Sequence, residues 1–439
     1  MPPWGLTAVS RPTRPLHPKV DEYAPLVSLA VPNAQPLTGV RIVECSMLGP
    51  AAITTALADL GAEVIKVEPP SGDYVRQMTW PIVEGVSLMH LHVNRGKHSI
   101  AIDLKSADGI AVFEELVKTS DVVVEAMRPG GLARRGLGYE RLKQLNPAIV
   151  FCTISGYGAT GPYRDLASHG IAYDAWAGIF EPEIDEAGFP SIPNHVSIGI
   201  NAGPLFGALG ILAGVIQARA TGVGAQMEVA QSDSAAAFDW YREETYRAYE
   251  RPETEVTGNQ SDDYVRREPA IAGMRGGVRY QVYRSADGHV LFMASEQHFW
   301  KKFCDAVERN DLFDRWPGSQ YGDHARGNRE LQAELTAIFG TRSTAEWVQL
   351  GVDVDVPLAP CHTPHTVADD PQFRDRLEWL PTAALGADQL PFPVKIVGAD
   401  PMIPTKAPTV GEHTDAVLAS VLGYDAARIA ALRDSGAVS

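Results

Sequence analysis

The chain has 439 residues, 45% of them hydrophobic, so we expect two domains or one enlarged domain. It carries 38 Lys and Arg against 54 Asp and Glu, which argues against general binding to nucleic acid or to anionic lipid. Neither a nucleic acid nor a membrane is therefore expected as a partner. Four cysteines at positions 45, 152, 304 and 361 are far apart, which is typical of reduced thiols in a cytoplasmic protein.

The first 37 residues predict an N-terminal arm, because MPPWGLTAVSRPTRPLHPK lacks the continuous apolar run of a secretory signal. Strands and helices then alternate along the chain. The predicted strands are VRIVEC, EVIKVE, DVVVEA and AIVFCTIS, at residues 40–45, 63–68, 121–126 and 148–155. Helical spacing between them, with a stop at Gly61 and a cap at Ser106, predicts a parallel sheet covered by helices on both faces. Ligands of such sheets bind at the carboxyl ends of the strands.

The longest apolar stretch, AGPLFGALGILAGVIQA at residues 202–218, is shorter than the roughly 20 residues that span a bilayer. It also contains a proline and internal glycines, so it predicts a buried core helix.

Two common cofactor classes are excluded by the turn after the first strand. This turn reads ECSMLGPAA and has one glycine where a dinucleotide fingerprint needs three, so a dehydrogenase is excluded. No Walker-type loop occurs in the sequence either. The histidines are scattered, and the pair His90 and His92 is more typical of a surface or core role than of a metal site. No metal is expected.

Four long segments carry a family resemblance. They are LTGVRIVECSMLGPAAITTALADLGAEVIKVEPPSGD, NRGKHSIAIDLKS, DVVVEAMRPGGLARRGLGYERLKQLNPAIVFCTISGYGATGPYRD and APTVGEHTDAVLASVLGY. In this order they resemble the class III CoA-transferase superfamily, which includes formyl-CoA and carnitine CoA-transferases and the 2-methylacyl-CoA racemases. The resemblance runs from about Leu37 to the C-terminus.

The resemblance implies a doubly wound, Rossmann-like α/β large domain, a smaller inserted α+β domain, and two chains interlaced as a homodimer. The segment VRYQVYRSADGHVLFMASEQHFWKKFCDAV predicts two strands around a turn and then a helix, as the small domain would need. The expected order is an arm at 1–37, the first part of the large domain at 38–225, a linker helix region at 226–260, the small domain at 261–345 and a return segment at 346–439.

Family positions that bind CoA can be carried over to this chain. They are Met47, Leu48, Ile102, Asp103, Leu104, Lys105, Ala126, Met127, Arg128 and Arg134. The three cations among them suit the phosphates of CoA, although they could equally be ordinary surface charges. Two positions depart from the family: Pro69 stands where some relatives have Arg, and Ser155 where some have Lys.

The nucleophile of the resembling transferases is an aspartate just before the helix that corresponds to GPLFGALGIL. Here Gly199, Ile200 or Asn201 falls at that position, and none of these can attack a thioester. The racemases pair the same aspartate with an upstream histidine, which corresponds to His169. In the segment SHGIAYDAWAG the nearest carboxylate is Asp174, which together with His169 forms the candidate catalytic pair.

The leading hypothesis is transfer of CoA between an acyl-CoA and a carboxylic acid through a covalent intermediate on a carboxylate, with CoA as substrate. One alternative is racemisation or isomerisation at the α-carbon of an acyl-CoA, with His169 as the base. Another is an acyl-CoA-binding homologue without catalysis. In the structural alternative, Asp174 caps a helix and His169 lines the pocket wall.

Overall fold

The computed structural model describes residues 35–260, 263–320, 322–399 and 402–439, so almost all of the predicted N-terminal arm lies outside the described residues. The strands are β1 (Arg41–Cys45), β2 (Glu63–Glu68), β3 (Ile82–Val83), β4 (Val86–Ser87), β5 (Lys97–Ala101), β6 (Val122–Glu125), β7 (Val150–Ser155), β8 (Glu183–Ile184), β9 (Pro190–Ser191), β10 (Gln226–Ala230), β11 (Tyr280–Arg284), β12 (His289–Met293) and β13 (Leu358–Pro360).

The α-helices follow the same order along the chain. They are α1 (Ala52–Asp59), α2 (Val75–Met78), α3 (Leu88–Val93), α4 (Ala107–Lys118), α5 (Tyr139–Leu145), α6 (Ile171–Trp176), α7 (Gly199–Thr221), α8 (Gln231–Phe238), α9 (Trp240–Tyr249), α10 (Gln297–Ala306), α11 (Asn310–Arg315), α12 (Arg329–Phe339), α13 (Thr344–Val354), α14 (Pro371–Arg376), α15 (Thr382–Leu385), α16 (Thr414–Ser420) and α17 (Ala426–Asp434).

A parallel sheet of six strands, in the order β10–β7–β6–β1–β2–β5, forms the larger unit. Successive residues of β1 point to opposite faces, so Ile42 packs with α1 and α7 while Val43 packs with α4 and α16. Each face of the sheet is therefore covered by helices, and the predicted parallel sheet with helices on both sides is confirmed. The C-terminal helices α16 and α17 complete one face, so both ends of the described chain build this unit.

The predicted linker helix region at 226–260 begins instead with β10, the last strand of the large sheet. Gly222, in the left-handed region at φ 73°, ends α7, and residues 226–230 then alternate in exposure and pair in parallel with β7. The helix formers that follow make two helices, α8 and α9, separated at Asp239. Helical composition was misleading here because QMEVA also alternates with the period of two that a strand needs.

A smaller unit is built on the antiparallel sheet β11–β12–β13. Its core is rich in aromatic side chains from α10, α12 and α13, including Trp300, Phe303, Phe339 and Trp347. The predicted hairpin of two strands followed by a helix corresponds to β11, β12 and α10. The third strand, β13, lies beyond residue 345, where the small domain was expected to end. It belongs to the smaller unit because it pairs with β12.

The predicted core helix at 202–218 lies within α7, which has 23 residues. By length and composition alone it could cross a membrane, but half of its most apolar window is buried inside the protein. Ala208, Ile211 and Val215 pack against the sheet, whereas Leu205 and Ile216 are exposed. The helix therefore covers the sheet with one side and presents apolar side chains on the other.

Candidate functional site

Two of the predicted CoA-binding segments lie side by side where the order of the parallel strands reverses. The chain runs outward from β1 to β2 and β5 on one side, and to β6, β7 and β10 on the other. The backbone N–H of Ala126, after β6, donates to the carbonyl of Cys45, at the end of β1, over 2.9 Å. Met47 and Leu48 therefore start next to Ala126 and Met127, in the crevice where doubly wound sheets bind ligands.

The third predicted segment, residues 102–105, follows β5, two strands from β1. The N–H of Asp103 donates to the carbonyl of Ala437 over 2.9 Å, so the C-terminal residues lie against this segment. Ile102 and Leu104 are buried in the core, whereas Lys105 is exposed. Only the backbone of the two buried residues could contact a ligand.

The three cations predicted to bind phosphate, Lys105, Arg128 and Arg134, are all exposed at the carboxyl ends of the strands. The guanidinium of Arg134 donates to the carbonyl of Pro129 over 2.8 Å, which ties it to the loop after β6. Charged side chains at one edge of the sheet suit the phosphates of a polyanion.

The carboxylate of Asp174 is fully buried and binds the first turn of α7. Its Oδ1 accepts from the backbone N–H of Gly199 over 2.7 Å, and its Oδ2 accepts from that of Ile198 over 3.1 Å. Ile198 is the N-cap residue of α7, and its apolar side chain makes no capping hydrogen bond to the helix. Asp174 therefore caps a helix from a distance, and its negative charge lies at the positive end of the helix dipole.

Sequence reasoning missed the side chain that actually contacts this carboxylate. His195 Nε2 lies 3.3 Å from Asp174 Oδ2, and its Nδ1 lies 3.1 Å from the carbonyl of Pro193. Because each ring nitrogen faces an oxygen, the imidazole is held between Asp174 and the loop before α7. The single signal in the sequence is a histidine four residues before α7, which alone predicts no partner.

His169 lies just before α6 and is exposed. Among the described residues, no hydrogen bond joins its side chain to Asp174. The two predicted residues therefore lie on one short segment, but the carboxylate of Asp174 is inside the protein and the imidazole of His169 is at its surface. The pairing of these two groups stays a prediction.

Ile200, one of the three residues predicted to stand at the position of the family aspartate, lies next to two parts of the candidate site. A Cβ built on Gly170 would lie 2.6 Å from Cγ2 of Ile200, and one built on Gly49 would lie 3.9 Å from Cβ of the same residue. Ile200 therefore lies between the turn after β1 and the segment that carries Asp174. The carboxylate of Asp174 binds the N-terminus of α7, the helix to which Ile200 belongs.

Aromatic side chains surround this segment. The ring of Tyr157 lies 5.7 Å from Tyr163, 5.7 Å from Tyr173 and 6.4 Å from Trp176, measured between ring centroids. The ring of Phe180 packs against that of His195, with 4.5 Å between centroids and a tilt of 42°. An apolar acyl group would find a suitable wall here.

Neither a metal cluster nor the main cavity coincides with the candidate site. Within the described ranges no group of three or more His, Cys, Asp or Glu could hold a metal ion. A cavity of about 690 Å³ lies near Asp59 and Trp379, at the amino end of β2 and thus at the edge of the sheet opposite the predicted CoA-binding residues. We place the candidate site at the carboxyl edge, because the convergent polar groups are there.

A family model described as CoA-transferase family III matches residues 37–414. Human succinyl-CoA:glutarate CoA-transferase is 31% identical over 92% of this chain and 90% of that protein. The probable fatty acyl-CoA transferase Rv3272 of Mycobacterium tuberculosis is 29% identical over 88% of this chain and 98% of its own length.

Solved structures agree with this similarity. The crystal structure of an aspartate-to-alanine mutant of Rv3272 superposes with a TM-score of 0.69 at 26% identity, covering 88% of this chain and all of that one. A CaiB/BaiF family protein from Brucella suis superposes with a TM-score of 0.68 at 26% identity, covering 89% of this chain and all of that one.

Proposed function

Because the chain belongs to CoA-transferase family III, we propose that it moves CoA from an acyl-CoA to a carboxylic acid through a covalent intermediate on one of its own carboxylates. Asp174 is the carboxylate we assign to this role. The observation that supports the assignment is the contact of its carboxylate with the N–H groups of Ile198 and Gly199, at the start of α7.

The proposed chemistry balances without a metal or redox group. The carboxylate attacks the thioester carbonyl and expels CoA as thiolate, leaving a mixed anhydride. The thiolate then attacks the enzyme's own acyl carbon, which releases the donor acid and leaves an enzyme thioester. The acceptor acid reverses these two steps, so the protein chiefly holds CoA, excludes water and positions one carboxylate.

The donors around Asp174 bear on this cycle. For Asp174 to attack, its carboxylate must give up at least one of its present hydrogen-bond contacts so that the substrate can approach. Among the described residues, His195 is the side chain that makes such a contact, and the others are backbone N–H groups. The N–H groups of Ile198 and Gly199 hold the carboxylate in place at the start of α7, so its position is fixed before a thioester binds.

One observation favours a second candidate, acid–base chemistry at the α-carbon of an acyl-CoA. His169 is exposed beside the aromatic segment, whereas Asp174 is buried. An exposed imidazole is accessible to a substrate, and a thioester acidifies the proton that a base would remove. We place either activity in the cytoplasm, since the four cysteines are free thiols.

Substitution of Asp174 separates the two candidates. In the transferase, Asp174→Asn abolishes CoA exchange and hydroxylamine no longer traps an acylated enzyme, whereas His169→Ala slows exchange by about 10²–10⁴-fold. In the alternative, His169→Ala stops deuterium exchange into the acyl-CoA and no adduct forms. Mass spectrometry of a panel of acyl-CoAs and acids measures both.

Glu183→Gln is the matched control, because Glu183 is an exposed carboxylate between α6 and α7. All variants are first checked for folding and CoA binding, since loss of a helix cap costs about 0.5–2 kcal/mol. If Asp174→Asn and His169→Ala both leave exchange intact in folded protein, neither residue takes part, and if neither activity occurs in the unaltered protein, it binds acyl-CoA without catalysis.

A further inference from the structure

Four charged side chains are buried together beneath the turn between β1 and α1. Glu44, Lys66, Asp73 and Lys97 are each at most 2% exposed. Burial of a charge is costly unless the charge is paired, and here each of the four charges has a partner of opposite sign within the group. Lys97 Nζ lies 2.8 Å from Glu44 Oε2, and Lys66 Nζ lies 3.4 Å from Glu44 Oε1 and 3.3 Å from Asp73 Oδ2.

The two ammonium groups also hold both ends of the turn. Lys66 Nζ donates to the carbonyl of Ser46 over 2.8 Å, and Lys97 Nζ donates to the carbonyl of Ala51 over 2.7 Å. The hydroxyls of Ser46 and Thr54 donate to Glu44. We call Glu44, Lys66 and Lys97 the lysine clamp, since together they fix the turn of residues 46–51.

The backbone inside the turn needs such support. Leu48 has φ 59° and ψ −148°, a conformation that residues with a side chain rarely adopt. Backbone of this kind persists only where the surroundings determine it, and it is concentrated at functional sites. The hydrogen bonds that the two lysines donate to the carbonyls of Ser46 and Ala51 lie on either side of Leu48 along the chain.

The turn lies between the two parts of the candidate site. It contains Met47 and Leu48, which the family resemblance assigns to CoA, and it contacts the first turn of α7 through Gly49 and Ile200. A displacement of the turn would therefore move the CoA-binding backbone relative to the helix that Asp174 caps.

We propose that Lys97 is a positioning residue, which holds the β1–α1 turn through the lysine clamp in the conformation that binds CoA. This inference rests on the proposed function, because it takes CoA as the ligand of the turn. Lys97 is itself buried beneath the turn and touches no substrate.

The protonation of the clamp gives this role a specific signature. Burial lowers the pKa of Lys97 to about 8, against the opposing attraction of Glu44, and Lys66 and Asp73 are the other charged groups that face it. Burial also opposes the charge of Glu44, but Lys97 and Lys66 outweigh it and lower the pKa of that carboxyl to about 2. Lys97 therefore loses its proton well before Lys66, whose pKa is raised by Glu44, Asp73 and Glu68 despite its burial.

The sign of the pH effect distinguishes positioning from stability. The pKa of Lys97 in the folded protein is below its ordinary value of 10.5, so the unfolded chain holds more protons between about pH 8 and pH 10.5. Titration of this group therefore raises the free energy of unfolding in that range. The loss of its charge nevertheless weakens the bonds to Glu44 and to Ala51, because charge-assisted hydrogen bonds are about twice as strong as neutral ones.

The test measures the dissociation constant of CoA by calorimetry at pH 7 and pH 9 for the full chain, Lys97→Met and Arg95→Met. Arg95 is the matched control, since it is a buried cation paired with Asp59 over 2.7 Å at the far end of α1. At pH 7 we expect Lys97→Met to weaken CoA binding about 10-fold or more, in the range found for residues that orient a binding group. We expect Arg95→Met to keep the affinity within about two-fold, because its ion pair does not touch the turn.

The second part of the test compares the pH dependence of CoA binding in the unaltered protein and in folded Lys97→Met. Affinity of the unaltered protein for CoA should fall between pH 7 and pH 9 by more than that of Lys97→Met, in which the titrating group is absent and the titration of CoA itself is unchanged. Amide hydrogen exchange of residues 46–51, corrected for intrinsic rate, should increase in Lys97→Met and not in Arg95→Met.

The outcomes separate the inference from the proposed function. If the unaltered protein does not bind CoA, the CoA site itself is wrong, and the exchange data alone decide whether the clamp holds the turn. If it binds CoA but Lys97→Met binds equally well, or both variants lose affinity alike, Lys97 has no positioning role. Equal pH dependence in the unaltered protein and Lys97→Met contradicts the inference as well.

Discussion

At the scale of single residues, the phosphate-binding hypothesis depends on cations that have few partners inside the chain. Arg128 is exposed, and Arg134 is tied to Pro129 only through a backbone carbonyl. Cations held this loosely are available to a ligand, whereas an arginine already paired with a carboxylate is not.

Replacement of Arg128 and Arg134 together by Ala should weaken CoA binding by about 2–4 kcal/mol, since each charge-assisted contact contributes about 1.5–3 kcal/mol. Calorimetry with CoA measures this change. Arg141→Ala is the control. Arg141, on α5, is exposed, but its guanidinium already pairs with Glu114 on α4 over 2.7 Å. Unchanged affinity of the double variant would remove both arginines from the site.

At the scale of elements, α7 connects the core to the candidate site. Its first turn holds the carboxylate of Asp174, and its middle packs closely on the sheet through glycine. A Cβ built on Gly214 would lie 2.8 Å from Cγ1 of the buried Val150 and 2.9 Å from Cε of Met227. The absence of a side chain at this position lets the helix approach β7 and β10.

Gly214→Ala should therefore destabilise the protein by about 1–3 kcal/mol, because overpacking against a stiff β-branched residue exceeds the gain in helix propensity. Gly210→Ala on the same helix is the control: its Cβ would meet only the flexible Met227, with Sδ at 3.1 Å. We expect Gly210→Ala to be neutral or stabilising by up to about 1 kcal/mol. Urea denaturation compares them, and equal free energies of unfolding would mean that close packing does not set the position of α7.

At the scale of the whole molecule, the described chain leaves large apolar side chains exposed on α7 and α9. Leu209 and Ile216 on α7 and Trp240 and Tyr246 on α9 are each more than half exposed. Large apolar side chains that are exposed in one chain are candidates for burial in an interface. The interlaced homodimer expected from the family resemblance is one arrangement that would bury them.

If the two chains are interlaced, dilution should not release folded monomers, because separation of linked chains requires unfolding. Analytical ultracentrifugation over a wide concentration range, under native conditions, measures this. We expect a single dimeric species at every concentration. A monomer that forms reversibly and keeps its circular dichroism spectrum would contradict the interlaced arrangement.

The sequence determined the local patterns and the family. Short apolar runs with β-branched residues predicted β1, β2, β6 and β7, and the spacing between them predicted a parallel sheet, because these signals arise from neighbours along the chain. The segment 226–230 was misassigned because five residues with helix formers around them do not distinguish a strand from a helix until a partner strand is known.

The tertiary structure decided which distant groups meet. Asp174 was predicted as a candidate from its segment, but its contacts with His195 and with the start of α7 depend on how a loop of about 20 residues folds back. The lysine clamp was not predicted, because Glu44, Lys66 and Lys97 lie on three strands and read as ordinary charges in their own segments. Burial and pairing are properties of the folded protein, and a one-dimensional pattern records neither.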